Sequence, residues 1–298
     1  MKILLFGKNG QLGWELQRSL APLGEVISLG SDMAGGDYTR LDEVEHTVRS
    51  VVPDVIVNAS AYTAVDRAEN ERELAWQLNA VAPALLATEA KRIGAWLVHY
   101  STDYVFDGSG STPWQEVDRT NPLNTYGKTK LRGEEAIRQA ACQYLIFRTS
   151  WVYAAKGGNF AKTMLRLGRE RDHLTVINDQ FGAPTGADLL ADISAHAIRM
   201  ALQRPDMCGL YHLVAGGETS WYGYAGYVLD FARKAGVDIK VDAKAIEPVP
   251  TDAFPTAAQR PKNSRLNTNK LQRTFGLCLP DWKTGVARML TEILEKQI

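Results

Sequence analysis

The sequence predicts an α/β fold, a doubly wound parallel sheet with a smaller C-terminal α/β lobe. Three observations carry that reading. Through the first half, short apolar runs alternate with helical patterns, the rhythm of strands joined by crossover helices. The first run, Lys2-Ile3-Leu4-Leu5-Phe6, breaks at once into a cluster holding Gly7, Gly10 and Gly13. After Arg148 the alternation loosens, and 298 residues are ample for one such sheet plus a further lobe.

The strands expected in the first half are residues 2–6, 25–29, 54–58, 96–100 and 144–148. Each is short and rich in Val, Ile, Leu or aromatics, as a strand buried on both faces should be. Helical patterns cover 11–21, 41–50, 66–93 and 125–141. Asn124 stands where it can cap the last of these, with Pro122 rigidifying the approach. Further on, 157–171, 188–203 and 221–234 read as helices, and 174–178 and 210–214 as short strands. Residues 247–265 hold Pro248, Pro250, Pro255 and Pro261, which predicts a long ordered loop or lid. An amphipathic helix over 281–296 closes the chain.

Composition narrows the function. With 34 basic residues against 34 acidic ones, a protein whose main work is holding nucleic acid or an anionic membrane is disfavoured. Cys142, Cys208 and Cys278 are widely spaced and show no ligand motif, which argues against a zinc site or disulfide framework. No apolar run reaches the length of a membrane span. The expectation is a reduced, cytoplasmic, soluble protein.

Residues 7–13, GKNGQLG, follow the pattern G-x-x-G-x-x-G. Glycine there reaches φ values closed to other residues and lets the backbone approach a pyrophosphate. The helix starting near Gln11 points its free N–H groups and dipole at the anion. The alternative is a tight strand-to-helix turn without a ligand; its place at the head of a βαβ unit favours the dinucleotide. Such folds place an acid at the end of the second strand, on the adenosine ribose. Here Gly30 stands there, and Asp32 either reaches the ribose from two residues later or is a solvated loop acid. Without a carboxylate at 30 the 2′-phosphate of NADPH meets less repulsion, so the choice leans to NADPH over NADH.

Tyr126 and Lys130 lie four apart on a predicted helix and so share a face. A nearby ammonium stabilises phenolate and lowers a phenol pKa from about 10. Such a tyrosine can hand its proton to a carbonyl oxygen as hydride reaches the carbon. The alternative is a core tyrosine with a lysine stem running past it. Strand 96–100 leads into Ser101, Thr102 and Asp103, and ligands of open α/β sheets sit beyond strand carboxyl ends. Thr102 could share the proton with Tyr126, or Ser101 and Thr102 could simply cap the strand.

Together GKNGQLG, DVIVNAS (54–60), STDYVFDG (101–108) and YGKTK (126–130) resemble the extended short-chain dehydrogenase/reductase family. The stretches AYTAVD (61–66), FRTSWVY (147–153), VINDQFGAPT (176–185), LYHLV (210–214), RPKNSRL (260–266) and PDW (280–282) extend the resemblance almost end to end, toward its nucleotide-sugar ketoreductases. The resemblance implies a Rossmann-type unit over 1–150 plus parts of 186–215, and a nucleotide-sugar unit over 151–185 and 216–298. It implies reduction of the C4 keto group of dTDP-4-dehydro-L-rhamnose by NADPH or NADH. Tyr126 would donate the proton, Lys130 would orient the nicotinamide ribose and tune Tyr126, and Thr102 would assist at the keto oxygen. Gly7, Gly10, Gln11, Leu12, Gly13, Asp37, Tyr38, Ala61, Tyr62 and Thr63 would line the cofactor. Thr102, Asp103 and Trp151 would touch the sugar, and Arg260 would grip the diphosphate or pair with an acid. Glu15, Asp188 and Glu292 match positions where some members hold Mg²⁺ at a homodimer interface, though three surface acids can equally be solvated.

Dehydratases of the wider family need an Asp-Glu pair after the threonine; Tyr104 stands in place of the Glu, which argues against that activity. A 4-epimerase shares the Tyr and Lys and stays open. So does a regulatory subunit on this fold, like that of methionine adenosyltransferase, although an intact Thr102, Tyr126 and Lys130 favours chemistry.

Overall fold

The computed structural model describes residues 1–295, so the end of the last predicted helix at Lys296 and the tail of the 216–298 unit lie outside the described residues. Five strands, β1 (Lys2–Phe6), β2 (Glu25–Leu29), β3 (Val55–Asn58), β4 (Trp96–Thr102) and β5 (Gln143–Thr149), run parallel with a sixth, Gly209–His212. Their order is sixth–β5–β4–β3–β1–β2. The chain winds outward from β1 to β2, then crosses back to β3 on the other side of β1. Ligands of such sheets bind at this reversal, beyond the carboxyl ends of β1 and β3. There Phe6 pairs with Asn58.

Alternation along each strand sends side chains to two cores. Ile3, Leu5, Val57 and Val98 pack with Leu16 and Leu20 of the Gln11–Leu20 helix and Leu190 and Ile198 of the Ala187–Gln203 helix. Leu4, Phe6, Ile56 and Leu97 face Val44, Val48, Leu86 and Ile137 from the helices Leu41–Val51, Ala82–Ile93 and Thr125–Ala140. A separate core joins Met164, Val228, Leu229, Val286 and Leu290 of the helices Phe160–Glu170, Trp221–Lys234 and Trp282–Glu295. Among the described residues no helix is long and apolar enough to cross a membrane.

Three expectations change. The helix expected over 66–93 is broken into Val65–Ala68, Arg72–Trp76, a wide π-type turn Gln77–Val81, and Ala82–Ile93. Residues 247–265 are not loop throughout: strand Ile246–Val249 pairs in parallel with Leu174–Ile177. Pro248 is tolerated because a two-stranded ribbon leaves one edge of each strand without ladder bonds. The helix Asn269–Phe275 was not anticipated.

Candidate active site

The glycine turn connects β1 to the first helix, and its three glycines differ in why they are glycine. Gly7 has φ +89, and a Cβ there would lie 2.6 Å from the Ala59 carbonyl carbon. A Cβ on Gly13 would lie 2.0 Å from the Gly7 oxygen. The chain's own packing demands both. Gly10 has φ −71, and the nearest atom to an added Cβ is the Gly7 oxygen at 3.4 Å, so the fold alone does not require it. Its bareness leaves the helix N-terminus open to an anion, and Gln11 Oε1 beside it is buried without a partner. Both observations fit a dinucleotide pyrophosphate at this turn.

At the end of β2, where Gly30 itself offers no carboxylate, Asp32 comes back beside it, the first of the two possibilities the sequence leaves open. The turn closed by Met33 N–H on the Gly30 carbonyl (3.1 Å) folds Asp32 back. Its Oδ1 accepts from Asn9 Nδ2 at 2.7 Å and sits 2.3 Å from where a Gly30 Cβ would be. Leu12 packs on the sheet core, while Asp37 is half-buried and accepts the Thr39 N–H. The buried Tyr38 ring packs on Phe6, and its hydroxyl donates to Asn58 Oδ1 at 2.9 Å. Beyond β3, Ala61 is half-buried and Thr63 exposed. Between them Tyr62 is held by Asn79, which bonds its N–H and carbonyl, and by Glu71, which accepts its hydroxyl.

Thr102 ends β4. Its hydroxyl donates to Asp103 Oδ1 and accepts from the Tyr104 N–H, both at 3.1 Å. Tyr126 lies in the first turn of the Thr125–Ala140 helix, which Asn124 caps by accepting the Gly127 N–H at 2.8 Å. Gly127 lets this helix meet β4's end, since a Cβ would fall 2.2 Å from the Tyr104 carbonyl oxygen. Burial pushes the Tyr126 phenol up to about 12, and the Thr102 hydroxyl draws it partly back. Lys130, one turn further along this helix, is aimed elsewhere. Its Nζ turns into the sheet, donating to the Tyr100 carbonyl at 2.6 Å and lying 3.3 Å from His99 Nε2. Burial brings the Lys130 ammonium down to about 8, against the opposing charge of Glu134.

Polar side chains collect at the carboxyl ends of β4 and β5. Ser101 Oγ, Asp103 Oδ2, Thr149 Oγ1 and Ser150 Oγ are buried without protein partners, a donor and acceptor set suited to a polyhydroxylated ligand. Trp151 beside them has φ +50 and stacks on Trp221 with ring centroids 3.6 Å apart. Arg260 pairs with an acid, donating to Asp66 Oδ2 at 2.7 Å, while Ala258 N–H holds Asp66 Oδ1 and Asn124 Nδ2 holds the Gln259 carbonyl. The proline-rich loop is thereby pinned over the Tyr126 helix.

Glu15 and Glu292 line one cavity of about 720 Å³, but Asp188 lines another, where it accepts from Arg288 at 2.9 Å. Among the described residues, no group of three or more acids, histidines or cysteines is arranged to hold a metal.

Burial raises Asp103 to about 7, against hydrogen bonds from Ser264 and Thr102. A carboxyl whose pKa rises on folding stabilises the fold at low pH, and that contribution fades as pH climbs from about 4 through about 7. Asp103→Asn is therefore expected to equal the parent near pH 4 and to exceed it near pH 8.5 by on the order of 2–4 kcal/mol. Urea denaturation at both pH values checks this; equal stability on the alkaline side would defeat the buried-acid reading.

Sequence reasoning missed His99, Asn58, Ser264 and Trp221, which reach the site only through the tertiary fold.

The chain matches the family described as RmlD substrate binding domain over residues 1–295. It is 61% identical to dTDP-4-dehydrorhamnose reductase of Salmonella typhimurium and 59% identical to that of Escherichia coli K12, covering 98% of each chain in both cases. A solved dTDP-4-dehydrorhamnose reductase from Clostridium acetobutylicum superposes with TM-score 0.89 at 37% identity, covering 99% of this chain and 100% of that one. The Bacillus anthracis enzyme in complex with NADP gives 0.88 at 35%, covering 98% and 99%. In sequence from end to end, and in fold, the chain belongs to the RmlD family, that of the dTDP-4-dehydrorhamnose reductases.

Proposed function

We propose that this protein reduces the C4 keto group of dTDP-4-dehydro-L-rhamnose to give dTDP-L-rhamnose, with NADPH or NADH as reductant. One observation carries it above the others: Thr102 and Tyr126 meet at the carboxyl end of β4, on the same sheet edge as the glycine turn after β1 and with unpartnered buried polar groups at the ends of β4 and β5. The nicotinamide supplies hydride when bound. The residues supply position and a proton. Gly7, Gly10, Gln11, Leu12 and Gly13 would hold the pyrophosphate, and Asp37, Ala61, Tyr62, Thr63 and the Tyr38 backbone would flank the adenosine and ribose. Asp103, Trp151 and Thr102 would seat the sugar. Thr102 then donates toward the keto oxygen while Tyr126 gives up its phenol proton to it, which a phenol held near 12 does only as negative charge develops there.

On this reading residues 1–150 with parts of 186–215 serve the cofactor, and 151–185 with 216–298 serve the sugar nucleotide. The enzyme works in the cytoplasm as a homodimer. Mg²⁺ would require a second copy to bring Glu15, Asp188 and Glu292 together, which one chain alone does not do. Deuterium at both C4 positions of the nicotinamide tests the reaction: NMR should find one label at the sugar C4, and a reduced product carrying only protium there would refute hydride transfer.

Asp32 sets cofactor choice by its charge beside the ribose. Asp32→Ala is expected to raise the NADPH-to-NADH affinity ratio about fivefold, the scale of one partly screened charge contact. Titration of both cofactors checks it, and an unchanged ratio would put Asp32 outside the ribose site.

A further inference from the structure

Among the described residues, three other than glycine have a positive φ: Val52, Ala141 and Trp151. Val52 and Ala141 end helices, where a left-handed residue closes the last backbone hydrogen bonds. Trp151, at φ +50, caps no helix. A bulky residue in that region costs stability and persists only where its surroundings hold it, as ligand sites do. Here the hold is plain. Trp221 covers one face of the Trp151 indole, with centroids 3.6 Å apart and planes 14° from parallel. Gly182 closes on the same rings: a Cβ there would lie 2.9 Å from Trp151 Cε2 and 3.2 Å from Cζ2. The Trp151 backbone is tied too, its carbonyl accepting the Thr185 N–H at 3.2 Å.

Trp221 is itself anchored. It opens the Trp221–Lys234 helix, whose Ser220 cap accepts the Gly223 N–H at 3.0 Å and donates to Asn178 Oδ1 at 2.6 Å. Its Nε1 donates to Gln180 Oε1 at 3.0 Å, and the Phe160 ring lies against it with centroids 4.6 Å apart. Thr219–Ser220 pairs antiparallel with Phe181–Gly182, so one short ribbon brings Trp221 and Gly182 to the same indole. That ribbon also reaches the end of β4. The Gly182 Cβ position is 3.2 Å from Ser264 Cβ, and Ser264 hydrogen-bonds Asp103. The stacked pair is thus joined, through Gly182 and Ser264, to the acid beside Thr102.

We propose that Trp221 is a positioning residue for the keto sugar: stacked on Trp151, it holds that indole as a fixed wall against which the sugar ring packs. The proposal rests on the reading of the site as a nucleotide-sugar ketoreductase with Trp151 at the sugar. Filling a core does not account for the stack, since both tryptophans stay half-buried and Trp151 reaches it only through a backbone conformation that large residues avoid. A wall that is already immobile spares the ligand the cost of ordering it, so the effect falls on sugar binding. Thr102 and Tyr126 stand on other elements, β4 and the Thr125–Ala140 helix, and the chemical step is left to them.

The test is steady-state kinetics with NADPH and dTDP-4-dehydro-L-rhamnose for the parent, Trp221→Leu and Trp221→Phe. Circular dichroism follows the exciton couplet that two stacked indoles give. Trp221→Leu is expected to lose the couplet and to raise KM for the sugar about tenfold, with kcat and NADPH affinity within about twofold. Trp221→Phe keeps a ring on Trp151 and should bring KM back to within about threefold of the parent. A parental KM in Trp221→Leu overturns the proposal. So does an equal loss of NADPH affinity, which would make the role merely structural. If Trp221→Leu does not fold, Gly182→Ala decides: its methyl displaces Trp151 while Trp221 stays, and should raise KM likewise, a parental KM again overturning the proposal. A parent that oxidises NADPH with this sugar, beside a variant of unchanged KM, refutes only the role of Trp221. A parent that never oxidises it refutes the ketoreductase reading and the proposal with it.

Discussion

Replacing Tyr126 by Phe is expected to lower kcat about a thousandfold while NADPH still binds within about threefold of the parent. The phenylalanine keeps the ring that meets Tyr104 edge-on at 5.6 Å and removes only the hydroxyl beside Thr102. Helix, cap and glycine turn stay intact, so the loss should fall on the chemical step. Single-turnover oxidation of bound NADPH, followed by its absorbance, separates chemistry from binding. A variant that turns over at the parent's rate would show that another group protonates the product, with Thr102 the first to examine.

The second large effect concerns stability. Glu134 and Arg148 are 1% and 3% exposed and joined by two hydrogen bonds, of 2.9 and 2.7 Å. The pair clamps the helix bearing Tyr126 and Lys130 to β5. Glu134→Ala leaves the guanidinium charged and enclosed, with the Phe106 ring 5.0 Å away. The expected cost is about 3–5 kcal/mol, the range for stranding one member of a buried pair. Removing both charges with Glu134→Leu and Arg148→Met should recover most of it, because desolvation had consumed much of the pair's attraction. Denaturant midpoints of the three variants check this. A Glu134→Ala variant within about 1 kcal/mol of the parent would mean that water reaches Arg148.

Much of this architecture was legible in the chain because buried parallel strands announce themselves locally. The runs at 2–6 and 25–29 match β1 and β2, since each is a short apolar stretch ended by glycine. The Thr125–Ala140 helix was equally plain, with Asn124 as its cap. What stayed hidden depends on partners distant in sequence. Strand Ile246–Val249 is concealed by Pro248 and exists because Leu174–Ile177 lies beside it. The Asn269–Phe275 helix is two turns long, and only Leu271 and Phe275 mark its buried side. Spacing placed Tyr126 and Lys130 on one face but could not tell that Lys130 turns toward Tyr100 and His99. That aim depends on β4, whose contribution here is one backbone carbonyl and one histidine. Likewise Gly30 read as a missing acid because the turn returning Asp32 to that spot is a tertiary fact.

The most direct measurement is NADPH oxidation by the purified protein given dTDP-4-dehydro-L-rhamnose, with the product identified by NMR. The site described here predicts stoichiometric oxidation and a single product, dTDP-L-rhamnose, reduced at C4. Bound NADPH that is never oxidised, or a product epimerised without reduction, would contradict it.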